Sequence, residues 1–337
     1  MADRELDRRI NRARGGLIGL LVGDALGVPF EFRASSEIIG KCGGKGWARR
    51  LTFETPRTWR RSHAGTPPGT WSDDGAQALA LGACVQGGGR DLHEVRLGLD
   101  LVAWYQVGAW TPDGHVFDVG IQTSRAIGHL ARDLGEPLPR DEEAAGNGAA
   151  MRVLPLGLAW RGDAAGLVRA AIRSAALTHP SRVAELSAAL VALWGWELAT
   201  GQRRREARAL PPWERLAGVL ELGDGPAWRP ALARLRSGQV NGSGYAPDTI
   251  ATVAAALDAA FSYGIKRSPV ATWRRAVREA ILIGGDTDTT AAIAGGLAGA
   301  ALGERAIPVK LRRELRGLEL FEGVAAHLAA ELRDGAP

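Results

Sequence analysis

At 337 residues the chain can bury a substantial core, and its 42 Lys+Arg against 37 Asp+Glu leave a formal charge of only +5. The basic residues occur as scattered pairs and one triplet, Arg203 to Arg205, which reads as solvated helix faces and excludes a continuous nucleic-acid groove. Two distant cysteines, Cys42 and Cys84, with no histidines at zinc-site intervals, exclude a disulfide framework and a thiolate zinc site.

Alanine and leucine dominate the apolar residues, whereas Phe and Tyr number six and three, a balance that favours helix over sheet. The N-terminus mixes Arg4, Arg8, Arg9, Arg12 and Arg14 with Asp3, Glu5 and Asp7 ahead of a short, glycine-flanked apolar stretch, Leu17 to Val22. This is not the pattern of a signal peptide. Amphipathic spacing predicts helices around Arg8 to Val22, Gly75 to Cys84, Leu92 to Tyr105, Leu167 to Ala176, Val183 to Leu198 and Thr249 to Phe261. It continues over Val270 to Ile283, Thr289 to Leu302 and Val309 to Leu332. No run alternates as a strand would. Turn-rich breaks at Thr66 to Gly69, Thr111 to Gly114, Gly135 to Pro139 and Gly242 to Pro247 read as loops between helices rather than a linker. The expectation is one all-α domain over residues 1–337. The apolar stretch Ala291 to Leu302 is too short and too glycine-rich for a bilayer, so the chain is expected in the cytoplasm without a membrane partner.

Glycines recur at four-residue spacing in two helices, Gly19, Gly23 and Gly27 near the start and Gly295, Gly299 and Gly303 near the end. Glycine costs a helix roughly 1 kcal/mol relative to alanine, so such a stripe implies close approach of another backbone. Two such helices are expected to pack deep in one core.

Two acidic clusters each precede an apolar helix. One is Gly69-Thr70-Trp71-Ser72-Asp73-Asp74-Gly75, the other Gly284-Gly285-Asp286-Thr287-Asp288-Thr289-Thr290. Either alone reads as N-capping. Capping does not explain the density of carboxylates, which repel one another if brought together and must then neutralise or bind cations. Carboxylates and hydroxyls without thiols or clustered imidazoles form a hard oxygen set suited to Mg²⁺ or Mn²⁺. Two ions sharing such ligands typically sit about 3.5 to 4 Å apart.

In order and spacing these segments resemble the ADP-ribosylglycohydrolase family. The resemblance runs through Gly19 to Phe32, Trp71 to Asp74, Asp118-Val119-Gly120, Gly146 to Gly157, Thr178-His179-Pro180 and Gly284 to Gly299. It implies an orthogonal helical bundle with a binuclear Mg²⁺ or Mn²⁺ centre under an ADP-ribose cleft. The implied ligands are Ser72, Asp73, Asp74, Asp286, Asp288 and Thr289, and the implied catalytic set is Glu31, Asp73 and Asp288. Glu31 corresponds to a glutamate on a mobile loop over the metals, for a gating or acid–base role. Without the resemblance it reads as an ordinary exposed glutamate at a helix end. Asp24 reads as a structural partner of backbone amides.

Gly146, Asn147, Gly148, Ala150 and Met151 match a loop that wraps ribose and diphosphate in the family. Asp118 and Gly120 match its Asp-x-Gly segment, His179 its Thr/Ser-His pair, and Tyr245 lies in a glycine-rich loop placed to stack on a base or ribose. A lone histidine is more often a satisfied structural one, and Met151, Trp104, Trp110, Trp194 and Trp196 read as core or rim packing. The chain departs from the family at Gly75 and Gln77, where threonine and methionine are usual. The implied reaction frees ADP-ribose from an ADP-ribosylated protein or small molecule, with an arginine linkage favoured. Serine, nucleobase and small-molecule linkages remain alternatives, including an ADP-ribosylated nucleic acid, although nucleic acid itself is not expected as a partner. An inert ADP-ribose binder and a metal-dependent phosphohydrolase are the rival readings.

Overall fold

The computed structural model describes residues 2–42, 50–133, 138–202, 209–223, 225–262 and 268–334. Its helices are, in chain order, α1 (Ala2–Gly27), α2 (Ser35–Cys42), α3 (Asp73–Gly82), α4 (Glu94–Val107), α5 (Ile121–Leu130), α6 (Leu154–Ala159), α7 (Ala164–Ala176) and α8 (Arg182–Ala199). They continue as α9 (Trp213–Glu221), α10 (Gly225–Arg236), α11 (Ala246–Ser262), α12 (Pro269–Ile283), α13 (Thr287–Leu302), α14 (Val309–Glu314) and α15 (Leu318–Arg333). Four two-residue strands make two small antiparallel ladders, β1 (Arg33–Ala34) with β4 (Gly284–Gly285), and β2 (Val85–Gln86) with β3 (Asp91–Leu92). The class is all-α, as expected from composition.

The periodic segments all form helices, with adjusted ends. The expected helix over Val309 to Leu332 divides into α14 and α15. Gly317 breaks it in the left-handed region at φ 68°, and a Cβ there would meet the Trp71 ring at 2.5 Å. Helices α2, α5, α6, α9 and α10 lie outside the expected set; each is twelve residues or shorter, and α10 carries Pro230 in its interior. The break expected at Gly135 to Pro139 falls mostly outside the described residues, and the triplet Arg203 to Arg205 wholly so.

Helix α1 is buried on all sides along Leu17 to Leu26 because α13 packs against it backbone to backbone. A Cβ on Gly19 would lie 2.4 Å from the Gly295 carbonyl oxygen, one on Gly23 2.2 Å from that of Ala291, and one on Gly299 2.0 Å from that of Gly15. The partners descend along one helix as they ascend along the other, so the pair is antiparallel. Long and apolar enough to cross a membrane by length and composition, the stretch Arg4–Phe30 has 94% of its apolar window buried inside the protein. Helix α8 is also buried along nearly its whole length and is capped by Ser181, whose hydroxyl accepts from the Ala184 amide.

The antiparallel pairing brings the C-terminal end of α1 to the N-terminal end of α13. There Asp24 of α1 takes up α3: its carboxylate accepts the Ser72 amide at 2.9 and 3.0 Å and the Gly75 amide at 2.8 Å. The β1–β4 ladder pairs Arg33 with Gly285, tying the segment after Glu31 to the turn before Asp286.

Candidate active site

Three helix ends converge on one acidic floor. The N-termini of α3 and α13 contribute Asp73, Asp74, Asp286 and Asp288, and the favourable ends of their dipoles point at the carboxylates. Ser72 is the N-cap of α3, its hydroxyl accepting from the Asp74 amide at 3.3 Å. Thr289 donates its hydroxyl to both oxygens of Asp74, at 3.1 and 3.2 Å. Asp286 accepts the Asn147 side-chain amide at 2.6 Å, and that amide also donates to Thr249 at 3.0 Å. Asn147 is thereby committed to holding the floor.

Asp288 is fully buried, and among the described residues neither carboxylate oxygen has a hydrogen-bond partner. Its ligand atoms belong to two clusters, one with Asp24 and Asp74 and one with Glu31 and Asp286, each within 4.8 Å. Burial first, then the negative charges of Glu31 and Asp118, holds its carboxyl well above the usual aspartate range. Burial and neighbouring carboxylates push Asp73 and Asp74 the same way. A buried carboxylate left with no donor calls for a cation. The donors around it are all oxygen, so the residues present fit a hard divalent ion.

Two glycine turns lock the second cluster in place. Gly242, Gly284 and Gly285 have φ of 65°, 83° and 75°, in the left-handed region open to glycine. A Cβ on Gly242 would lie 2.0 Å from the Gly284 carbonyl oxygen, and the Asp286 amide donates to the Gly242 carbonyl at 2.7 Å.

Above the floor opens a cleft of about 460 Å³. Of the expected residues, Glu31, Asp73, Asp118, Gly120, Gly146, Asn147, Gly148, Met151, His179, Asp286 and Thr289 line it. Ser72, Asp74 and Asp288 lie beneath, buried. Ala150 is fully buried and does not reach the opening. Nor does the Tyr245 ring: its hydroxyl takes a hydrogen bond from Arg234 at 2.5 Å, and that guanidinium lies 5.4 Å from the ring centroid. Its backbone instead bridges to Gly146. Tyr245 is thus absent from the cleft lining in this structure, its ring meeting Arg234 instead.

Glu31 is buried rather than exposed, at 3%. The Pro29 and Glu31 carbonyls are fastened to the segment Trp59–His63, by Trp59 Nε1 at 2.9 Å, the Ser62 amide at 3.1 Å and the Ser62 hydroxyl at 2.5 Å. His63 Nε2 lies 2.6 Å from Glu31 Oε2. Burial foremost pushes the Glu31 carboxyl up to about 8, with the His63 hydrogen bond pulling the other way. That same hydrogen bond raises His63, so the pair retains a proton between them near neutral pH.

Sequence reading missed His63, which sits in a loop with no periodic pattern, and missed the cleft-lining Phe32, Ile121, Gln122 and Thr123. The unusual Gly75 has a steric cause: a Cβ there would lie 2.6 Å from the Trp71 ring, leaving no room for threonine. Gln77, the other departure, is fully buried and donates to Asp73 Oδ2 at 3.2 Å.

The family profile described as ADP-ribosylglycohydrolase matches residues 5–336. A curated relative from Rhodospirillum rubrum, ADP-ribosyl-[dinitrogen reductase] glycohydrolase, is 29% identical over 91% of this chain and 93% of its own length. ADP-ribosylarginine hydrolase Tri1 of Pseudomonas putida (strain GB-1) is 27% identical over 98% of this chain and 80% of its own. A solved structure described as an ADP-ribosylglycohydrolase-related protein complex superposes with a TM-score of 0.65 at 29% identity, covering 98% of this chain and 100% of that one. With a profile spanning nearly its whole length and a matching all-α fold, the chain belongs to the ADP-ribosylglycohydrolase family of enzymes.

Proposed function

We propose that this enzyme removes ADP-ribose from an ADP-ribosylated arginine by hydrolysing the N-glycosidic bond at C1″ of the distal ribose. Two divalent cations, Mg²⁺ or Mn²⁺, would be held by Ser72, Asp73, Asp74, Asp286, Asp288 and Thr289. The observation that carries this reading is Asp288, a fully buried carboxylate whose two oxygens have no partner among the described residues, shared by both acidic clusters. Its place in both clusters supports Asp288 as a residue that would hold the cations. When bound, such ions would supply polarisation of sugar hydroxyls and a lowered ionisation point for a water.

Glu31 is the acid–base group. Lining the cleft, and with the shared proton on His63 2.6 Å away, its carboxylate takes the proton of the attacking water. The water oxygen bonds to C1″, the C1″–N bond breaks, and the proton held at Glu31 passes to the departing guanidine nitrogen. Gly146 and Gly148 line the cleft beside Asn147 and leave it open to a bulky diphosphate. The arginine linkage is supported by the relative named as an ADP-ribosylarginine hydrolase.

The test is release of free ADP-ribose from ADP-ribosyl-arginine and ADP-ribosyl-serine, with Mg²⁺, with Mn²⁺ and after chelation, in wild type and Asp288→Ala. Cation-dependent release from the arginine substrate, lost in the variant, is expected. Binding of ADP-ribose without cleavage of either substrate overturns the reading in favour of an inert binder.

A further inference from the structure

A buried chain of side chains crosses from the acidic floor to the cleft wall. Gln77 donates its amide to Asp73 Oδ2 at 3.2 Å and accepts Arg152 Nη1 on its own oxygen at 2.9 Å. Arg152 Nη2 donates to Thr178 Oγ1 at 2.7 Å and to the Ser174 carbonyl at 3.0 Å. Thr178 Oγ1 in turn lies 2.9 Å from His179 Nδ1. Gln77, Arg152 and Thr178 are fully buried, and His179 is 3% exposed. The chain ends where His179 lines the cleft against Gly148, with no hydrogen-bond partner for Nε2 among the described residues.

A guanidinium has five N–H donors and no acceptor. That asymmetry fixes the direction of every bond on either side of it. Gln77 must turn its oxygen to Arg152, which leaves its NH₂ for Asp73. Thr178 must accept from Arg152, and among the described residues its own hydroxyl hydrogen has one partner, His179 Nδ1. With Nδ1 accepting, a neutral imidazole carries its proton on Nε2. Burial, reinforced by the charge of Arg152, holds His179 down to about 3, so the ring is neutral at physiological pH.

We propose that Arg152 is a positioning residue that sets the polarity of this chain, so that His179 presents an Nε2–H donor to an oxygen of the ADP-ribose moiety while Gln77 presents a donor to Asp73. The ligand named here rests on the proposed function, whereas the direction of the chain does not. Methionine at position 77, usual in the family it resembles, makes neither bond, so the link between Asp73 and Arg152 follows from this chain's own sequence. Neutral His179 is thus a donor to the ligand and no base.

The experiment is long-range ¹H–¹⁵N correlation of the histidine rings in the full chain, His179 being assigned by its loss in His179→Gln, combined with calorimetric titration of free ADP-ribose. Wild type is expected to show the Nε2–H pattern at His179 from about pH 6 to 8. Thr178→Val keeps the side-chain shape without the hydroxyl, and is expected to mix the tautomers and weaken ADP-ribose binding about tenfold. Thr178→Ser should preserve both properties. Gln77→Met should leave the His179 tautomer unchanged and weaken Mn²⁺ binding severalfold, read by electron paramagnetic resonance. An Nδ1–H or imidazolium pattern in wild type, or a Thr178→Val protein matching wild type in both measurements, overturns the proposal; unaltered Mn²⁺ binding in Gln77→Met removes its Asp73 arm. If wild type binds no ADP-ribose, the functional reading falls while the tautomer pattern still decides the direction of the chain.

Discussion

Gly27 lies so close to Asp288 that a Cβ on the glycine would sit 2.4 Å from the aspartate's Cα. The small-residue stripe of α1 therefore ends at the acidic floor, and the contact that packs α1 on α13 also fixes where that carboxylate stands. Substitution within the stripe should reach the site. In Gly23→Ala the new methyl meets the Ala291 carbonyl oxygen at 2.2 Å, a backbone atom that cannot rotate away. Overpacking of this kind costs about 1 to 3 kcal/mol. Urea denaturation should show that loss together with reduced turnover, and a variant as stable as wild type would contradict the packing described.

Cations should stabilise the fold. Asp288, Asp74 and Asp73 are buried together, so without counter-ions their repulsion opposes folding. A ligand at about 100 times its dissociation constant adds about 2.7 kcal/mol to the folded state. Thermal melts of wild type should rise on adding Mn²⁺ or Mg²⁺ and fall with a chelator. Asp288→Asn is expected to melt above wild type in chelator and to gain little from either ion. A wild-type melting temperature indifferent to both cations would count against the site.

His63 holds Glu31 through a contact of 2.6 Å from a loop that also grips the Pro29 and Glu31 carbonyls. Its φ of 50° lies in the left-handed region, unusual for a residue with a side chain, a conformation that the surrounding contacts must hold. His63→Ala is expected to lower kcat at least about tenfold with a smaller change in KM, because a loosened acid–base group loses proton-transfer efficiency. His63→Gln, which retains a donor, should recover part of it. Equal kcat in His63→Ala and wild type would remove the histidine from the mechanism.

Far from the cleft, Glu304 ties α1 to the end of α13 by accepting from Arg14 at 2.9 Å and Arg312 at 3.1 Å. Burial raises its carboxyl, but the Arg14 hydrogen bond and the two positive charges outweigh that and leave it below the usual glutamate range. A carboxyl depressed in the folded state contributes stability above its unfolded value, and that contribution fades as pH falls through the folded value. Glu304→Gln should therefore melt below wild type at pH 7. The gap should narrow from about pH 5 downward, starting near the ordinary glutamate value. A gap constant down to pH 3 would mean that the ion pairs do not supply it.

The core pairing was legible because glycine every four residues has a single backbone meaning, and α1 and α13 meet along those positions. The acidic floor was legible for a similar reason: carboxylates dense at two helix starts exceed what capping needs. Partners supplied by irregular loops were not. His63 reaches Glu31 across 32 residues of chain without any periodic signal, and Arg234 captures Tyr245 by tertiary placement alone. Gln77 looked like a departure from a pattern because its two partners, Asp73 and Arg152, are both buried and one lies 75 positions away.

The interlocked turns at Gly242 and Gly284–Gly285 also govern how the protein can be recombined. Each turn occupies space that the other would need for a side chain, so the two segments behave as one inherited part despite the long stretch of chain between them. A chimera exchanging the loop over 238–246 with a relative must carry both turns from the same parent, or the Asp286 amide loses its anchor on the Gly242 carbonyl. The cleft-lining segment at 117–123 has no interlocked glycine turn of this kind among the described residues; side-chain contacts tie it instead, Gln122 to the Thr178 carbonyl at 2.9 Å and Phe117 against His63, so its exchange needs no matching turn from the same parent.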